Sequence, residues 1–420
     1  MPRRWKCCRK WRATNMIRKF VYVLILTLAT LPCPTMPVLG HKATTQVAGE
    51  QERKLQRGGK VAVRNPAGPI SITGWDHDTI QATAVKTDQE ETVRINITED
   101  SQHPGVVSIT PALEGRHGGH EIHLQVKLPR YAQIESANAH GGDVEISGIE
   151  GSVNVSSGSG NLVIRKVGPL TAHTGSGDVK VEDVAGQTNV STGSGDISLS
   201  SVGSVEARAG SGDISMNAVK GSAKVQTGSG DISGRDINGD FIAKLTSGDL
   251  TLENVTGLVN VTVTSGGVKV HDSESDVRVS TISGDMTIQC AKGHVELSSA
   301  SGSMSLTGIG NDVEASTTSG DIQYTGKMRP GGRYRMKSTS GQVQMTIPAD
   351  VPGFTATLSS YGGEIETDFP LNVESPLQRG PINRRIIGRY GDGQAQITLD
   401  SFSQGVKLSK ASAGTLKDCK

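Results

Sequence analysis

From residue 57 onward, apolar residues fall on alternate positions in runs too short for helices. Val61 and Val63, Ile70 and Ile72, Ile80, Ala82 and Ala84, Val93, Ile95 and Ile97, and Ile122, Leu124, Val126 and Leu128 each give one apolar and one polar side, the period of a half-buried strand. No segment before His140 carries a helical period. Residues 57–140 are therefore predicted to be an irregular β section that begins a stack and covers its first coil, because an open stack end leaves strand N–H and C=O groups unpaired.

From Gly141 the alternation acquires a longer period. The tetrad Gly-Ser-Gly-Asp occurs at Gly175–Asp178, Gly193–Asp196, Gly210–Asp213 and Gly228–Asp231, and shorter copies containing Asp249, Gly267, Asp285, Ser303 and Asp321 continue the beat at steps of 17 or 18. A fixed period of this size means stacked coils. The residue after each Asp position is apolar from Val144 and Leu162 through to Ile322, and so is nearly every residue two further on, from Ile146 and Ile164 to Tyr324. A second punctuation, at Gly151, Gly168, Gly186, Gly203, Gly221, Gly239, Gly257 and Gly293, marks the opposite corner. It precedes inward columns headed by Val153 and Val155. Each coil thus holds two short strands, and the fold class expected is all-β: a flattened parallel β-solenoid, or β-helix, of about 18 residues per coil. The crossover rule favours right-handed winding.

After Asp321 the steps lengthen to 21 and 22, at Gln342 and Glu364, and the inserted residues are basic: Lys327, Arg329, Arg333, Arg335 and Lys337, then Arg379, Arg384, Arg385 and Arg389. Such runs suit a solvated face or an anionic polymer. Residues 141–325 are read as regular solenoid and 326–408 as irregular coils, with Ile397, Leu399, Val406 and Leu408 forming the last one. Residues 409–420 are read as a loose tail.

The first 40 residues read as an export signal. Eight Lys or Arg and no acid precede Lys19 inclusive, followed by the apolar run Phe20–Leu31 and Pro32, Pro34 and Pro37. Twelve residues are too few to span a bilayer. Cleavage is expected before His41, Met16 offers an alternative start, and Pro32 argues against lipid attachment at Cys33. Polar residues 41–56 follow as a linker. Without the leader 35 basic residues face 42 acidic ones, about −7, which disfavours nucleic acid as a partner. Cys7, Cys8 and Cys33 leave with the leader, so Cys290 and Cys419 remain as two free thiols or one bridge. Aromatics are only 3% of the chain and glycines number 53, so the core must be built from small aliphatic side chains.

The tetrad admits three chemical readings. A phosphate cradle needs a helix N-terminus behind it, and a strand follows here. Calcium would draw on a column of like charges, Asp178, Asp196, Asp213, Asp231 and Asp249, but the column is interrupted and the opposite corner has no matching Asp. As a corner, Gly175, Gly177, Gly193, Gly195, Gly210, Gly212, Gly228 and Gly230 supply tight backbone, while Asp178, Asp196, Asp213 and Asp231 accept turn amides. The corner reading is preferred, with no cofactor. No acid–base cluster suits an enzyme; Glu296 and Glu314 beside Arg278 come nearest, and a charge ladder explains them. His117, His120, His123 and His140 are the only histidine group, with His123 outward on its strand.

The chain resembles a bacterial putative adhesin family of unknown function. The likeness rests on Gly68-Pro69-Ile70-Ser71-Ile72-Thr73-Gly74-Trp75, on Val126-Lys127-Leu128-Pro129 and on the Ser-Gly-Asp series, across residues 57–408. It implies an exported protein, periplasmic, cell-surface or secreted, that presents a long binding surface to a protein or glycan of the envelope. It brings no catalytic residues. The alternatives are a polysaccharide-active β-helix enzyme and an envelope scaffold or sensor.

Overall fold

A column of apolar side chains on a strand is buried only when a second column faces it, and the structure, a computed structural model, provides two such faces. It describes residues 47–86, 93–100, 103–113, 121–373, 384–412 and 419, all within one compact unit, residues 45–420. The expected leader, its cleavage site, Met16, Cys33, His117, His120 and Arg379 lie outside the described residues. Every regular element among the described residues is a strand, and no helix is long and apolar enough to cross a membrane.

From Gln133–Ala139 with Val144–Ile149 to Arg333–Ser340 with Val343–Ile347, the chain makes about twelve coils in sequence order. In each coil one strand joins the first sheet and the next strand joins the second, and both ladders are parallel and in register. Leu162 pairs with Val144 and Val179, and Val225 with Ala207 and Ala243, so like residues sit above like. The columns expected to point inward do so: Val144, Leu162, Ile214, Leu250 and Ile322, and Val153, Ala172, Val225 and Val279, are all buried. At roughly 4.8 Å per coil the twelve coils span roughly 58 Å.

Each coil also carries a third inward residue on each strand. In the strands that follow the tetrads the burial pattern is inward, out, inward, then two residues before the next inward one. The irregularity is a column of left-handed residues, Lys166, Asp183, Ser201, Ala218, Asp236, Asn254, Asp272 and Cys290, with Gly148 and Gly308 at its ends. This backbone turn re-aims the chain and buries Val167, Val184, Val202, Val219, Ile237 and Val255. Asp and Asn tolerate this conformation better than most residues, which accounts for four of the eight non-glycine members.

The coil order is not sequential at either end. The coil of Lys60–Asn65 and Ile70–Trp75 lies between Val106–Leu113 with Ile122–Pro129 and Gln133–Ala139 with Val144–Ile149. At the other end the coil of Ala395–Ser401 and Val406–Lys410, expected to be last, is inserted between Arg333–Ser340 with Val343–Ile347 and Gly353–Ser360 with Ile365–Thr367. The spatial successor of Gln342 is accordingly Gly405, whose carbonyl accepts from Val343, and Glu364 comes one coil later. Buried Asn65 holds the first inserted coil, its Nδ2 donating to the carbonyls of Pro69 and Ile122. The stack ends are closed by antiparallel strands: Val47–Lys54 on Thr79–Lys86 and Val93–Glu99 on Val106–Leu113 at one end, and Arg384–Gly391 on Gly353–Ser360 at the other. The strand Val47–Lys54 corrects the expectation of a linker through residue 56. Its sequence VAGEQERK has no apolar alternation, and its ladder runs along Thr79–Lys86.

The tail is tied as well. Cys419 is bonded to Cys290, with the two Cα atoms 5.3 Å apart, so the reading of residues 409–420 as a loose tail does not hold for Lys410 or Cys419. Large side chains concentrate at the C-terminal end. Tyr324 meets Tyr334 edge to face at 5.4 Å, and Phe354, Phe369 and Tyr390 pack at 5.2 to 5.4 Å. Burial, with Tyr334 beside it, pushes the Tyr324 hydroxyl well above its ordinary pKa, and it donates to the Lys327 carbonyl.

Candidate functional site

The polar groups of the tetrad corner are occupied by one another. The carboxylate of Asp178 accepts the N–H of Asp196 at 2.9 Å, Asp196 that of Asp213, Asp213 that of Asp231 and Asp231 that of Asp249, each at 2.8 Å. Asn161 accepts from Asp178 in the same way, and Asp321 from Gln342. Inside the corner, buried hydroxyls of Ser157, Thr174, Thr192 and Ser338 donate to carbonyls of Gly142, Gly160, Gly177 and Gly320 in the preceding coil. Gly195, Gly212 and Gly230 hold positive φ of 129 to 150°. The first glycine of each tetrad has a different cause. A Cβ at Gly158, Gly175, Gly193, Gly210 and Gly228 would lie 2.1, 2.3, 2.4, 2.5 and 2.6 Å from a carbonyl oxygen of the coil before it. The corner opens by tenths along the stack until side chains enter, as Thr246, Thr264 and Ile282. Between the glycines Ser176, Ser194, Ser211, Ser229, Ser247, Ser265, Ser283, Ser301, Ser319 and Ser340 form an exposed column. Among the described residues no three His, Cys, Asp or Glu side chains come together as a metal site.

The other residues singled out from sequence are kept apart or paired off. Glu296 and Glu314 are neighbours in register, but Glu296 meets Arg278 at 3.4 Å and Glu314 meets Arg335 at 3.5 Å, two separate ion pairs in one row on an open face. His123 shares a hydrogen bond of 2.8 Å with Ser71, and His140 is exposed.

What the structure does bring together are the two basic segments. In the sheet that contains Val313–Ser319, the spatial order is Arg333–Ser340, Ala395–Ser401, Gly353–Ser360 and Arg384–Gly391. Three rows cross these strands on the outer face: Arg333, Gln396, Thr355 and Arg389; Arg335, Thr398, Thr357 and Ile387; and Lys337, Asp400, Ser359 and Arg385. Long cations stand on the two outer strands and short hydroxyls, an amide and one carboxylate stand between them. Thr355, Thr357, Thr398, Ser359 and Asp400 are half-buried, whereas Arg333, Arg335, Lys337, Arg385 and Arg389 are exposed. The result is a shallow trough with a hydroxylated floor and basic lips, spanning three strand spacings or roughly 14 Å.

A fourth row closes the trough. Phe402 and Tyr361 continue the outward alternation of their strands, and their rings stack at 4.6 Å with planes 7° apart. They are 53% and 43% exposed, while Phe241, Tyr324, Tyr334, Phe354 and Phe369 are buried. Beside the trough Asp312 receives the N–H of Arg333 and the guanidinium of Arg329. Partial burial works to raise its carboxyl, and those donors outweigh it and hold the carboxyl below the usual range. The two basic segments could be seen in the sequence, but the strand that stands between them could not, since it belongs to a coil inserted out of sequence order. The exposed aromatics gave no periodic signal at all.

The Toastrack DUF4097 family profile matches residues 57–235, 189–307 and 234–409, which together cover most of the chain. The chain belongs to this family. A search of curated proteins finds no match. Among solved structures, the Toastrack chain is similar to a putative cell adhesion protein from Clostridium sporogenes, at 8% identity over 86% of this chain and 99% of that one, with a TM-score of 0.15. It is also similar to a putative adhesin from Parabacteroides merdae, at 13% identity over 70% and 95% of the two chains, with a TM-score of 0.18.

Proposed function

We propose that this Toastrack solenoid is an exported, non-enzymatic binding protein that presents its outer faces to a component of the cell envelope or surface. The observation that carries the reading is the trough, where residues from four strands between Arg333 and Phe402 meet as basic lips, hydroxyl floor and stacked rings. Export is supported by the leader read in residues 1–40 and by the Cys290–Cys419 bond, a feature of oxidising compartments. Glu296 and Glu314 each face a separate arginine on an open strand face rather than converging on a cleft, which supports binding over hydrolysis.

The test is a screen of purified residues 41–420 against envelope glycans, whole cells and surface proteins, with product analysis of every glycan incubated. Retention on one class without new reducing ends is expected. Turnover of a glycan would replace this reading with the enzymatic one. Sequencing the N-terminus of the protein recovered from cell fractions tests export, and recovery from the cytoplasm with residues 1–40 intact would contradict it.

A further inference from the structure

We propose that the trough binds a single chain of an acidic polysaccharide, with sugar carboxylates at its lips and one sugar ring on the Tyr361–Phe402 stack. The proposal rests on the binding function above and names its ligand class. Each part of the site answers to one part of such a polymer. Guanidinium and ammonium groups from Arg333, Lys337, Arg385 and Arg389 suit carboxylates, and they stand on a protein whose remaining charge is acidic. The floor of Thr357, Ser359 and Thr398, with exposed Gln396 beside it and Thr355 as an acceptor whose proton goes to the Gly393 carbonyl, offers donors and acceptors at short reach, matched to sugar hydroxyls. An aromatic face exposed to water packs against the apolar C–H face of a sugar ring.

Asp400 decides between anionic polymers. Its register partners are Lys337 and Ser359, so a carboxylate sits in the middle of the floor. It accepts hydrogen bonds from sugar hydroxyls, donors that the phosphodiester backbone of DNA lacks. The rings are also stacked on one another, whereas single-stranded nucleic acid is held on platforms spaced for successive bases. A membrane surface would fit a flat or convex patch better than a recess between two strands.

Polygalacturonate is the probe, with dextran, single-stranded DNA and vesicles containing an anionic lipid as comparisons, all on the same 41–420 protein. Polygalacturonate should bind and dextran should not, and binding should weaken with salt. Lys337→Glu with Arg385→Glu should weaken it by about a hundredfold, since each lost charge-assisted contact is about tenfold. Tyr361→Ser should weaken it while leaving its salt dependence unchanged, and Lys180→Glu, far along the stack, should have no effect. Melting curves of each variant show whether the fold is intact. Binding of polygalacturonate that survives the double charge reversal overturns the site, as does equal binding of DNA or vesicles. Binding of a neutral glycan or a protein in place of polygalacturonate overturns the ligand class while the binding function stands; failure to bind any envelope component removes both.

Discussion

Gly267 is the gap in the corner ladder, and filling it tests what the ladder is for. In this column the N–H of Gly267 itself is received by Asp249 at 2.7 Å, and that of Ser303 by Asp285 at 2.8 Å. The N–H of Asp285 has no side-chain acceptor because Gly267 has no side chain. A Cβ there would meet its nearest atoms, Asp249 Oδ1 and the Asp285 carbonyl, at 3.5 Å, and the backbone is not left-handed. A side chain therefore enters without strain. Gly267→Asn should supply the missing acceptor, as Asn161 does for Asp178. One hydrogen bond contributes about 0.5–1.5 kcal/mol, and removing a flexible glycine from the unfolded chain adds about 0.4–1 kcal/mol, so the gain should be about 1–2.5 kcal/mol.

Gly267→Asp places the same acceptor between the carboxylates of Asp249 and Asp285. At roughly 4.8 Å in water each repulsion is about 0.9 kcal/mol, enough to cancel most of the gain at low ionic strength. Salt screens that term, so Asp should approach Asn as salt rises. The assay is thermal unfolding of residues 41–420 at two salt concentrations, with hydrogen exchange at the Asp285 amide as the local readout. Unchanged exchange at that amide in Gly267→Asn would refute the ladder. A stabilisation by Asp that requires calcium and disappears with a chelator would show that the column is a cation site after all.

Four further outcomes are expected. Gly195→Ala would drive a Cβ to 2.2 Å from the Gly177 carbonyl at a φ of 150°, and should lower stability by about 3 kcal/mol or more in urea unfolding, whereas Gly141→Ala, with 3.4 Å of room, should be near neutral. Thr188 is fully buried with an unpartnered hydroxyl between Leu170 and Val205, so Thr188→Val should raise stability by about 1–2 kcal/mol in the same assay. Asp312 is held below its ordinary pKa in the fold, so its contribution is present above about pH 4 and is lost as pH falls through the lowered value; Asp312→Asn should flatten the acid limb of a stability–pH curve and leave neutral pH behaviour changed only by the lost ion pair. Cys419→Ser, or reduction, removes a crosslink closing 129 residues and should cost up to about 5 kcal/mol in the chain-entropy limit, read as a lower melting temperature.

The regular coils were legible because their causes are local and repeated. A column such as Val144, Leu162, Val179 and Ile197 needs only alternation and a period, and each residue meets its own counterpart. The left-handed column was hidden for a related reason: Lys166, Ser201, Ala218 and Cys290 share no residue type, and the backbone there is imposed by stacking on coils that already turn. The ends were hidden because their order is set by long-range pairing. Ala395–Ser401 reads the same whether it lies beyond Gly353–Ser360 or inside it. The separation of Lys337 from Arg385 by Asp400 and Ser359 follows from that placement.

The insertion also gives the trough its character. Were the coils stacked in sequence order, Gly353–Ser360 would lie against Arg333–Ser340, and the basic lips would be one strand closer with no Gln396, Thr398 or Asp400 between them. Phe402 would also have no reason to meet Tyr361. A repeat protein normally gains stability from each neighbour independently, but here the coil 353–367 is joined to the body of the stack through residues 395–410, which lie between the two. Gln396, Thr398 and Asp400 of the floor and Phe402 of the aromatic stack all come with that one coil. The binding face is therefore completed by the same event that locks the C-terminal end, so any pull that strips the inserted coil from its two neighbours should release ligand and open the stack together.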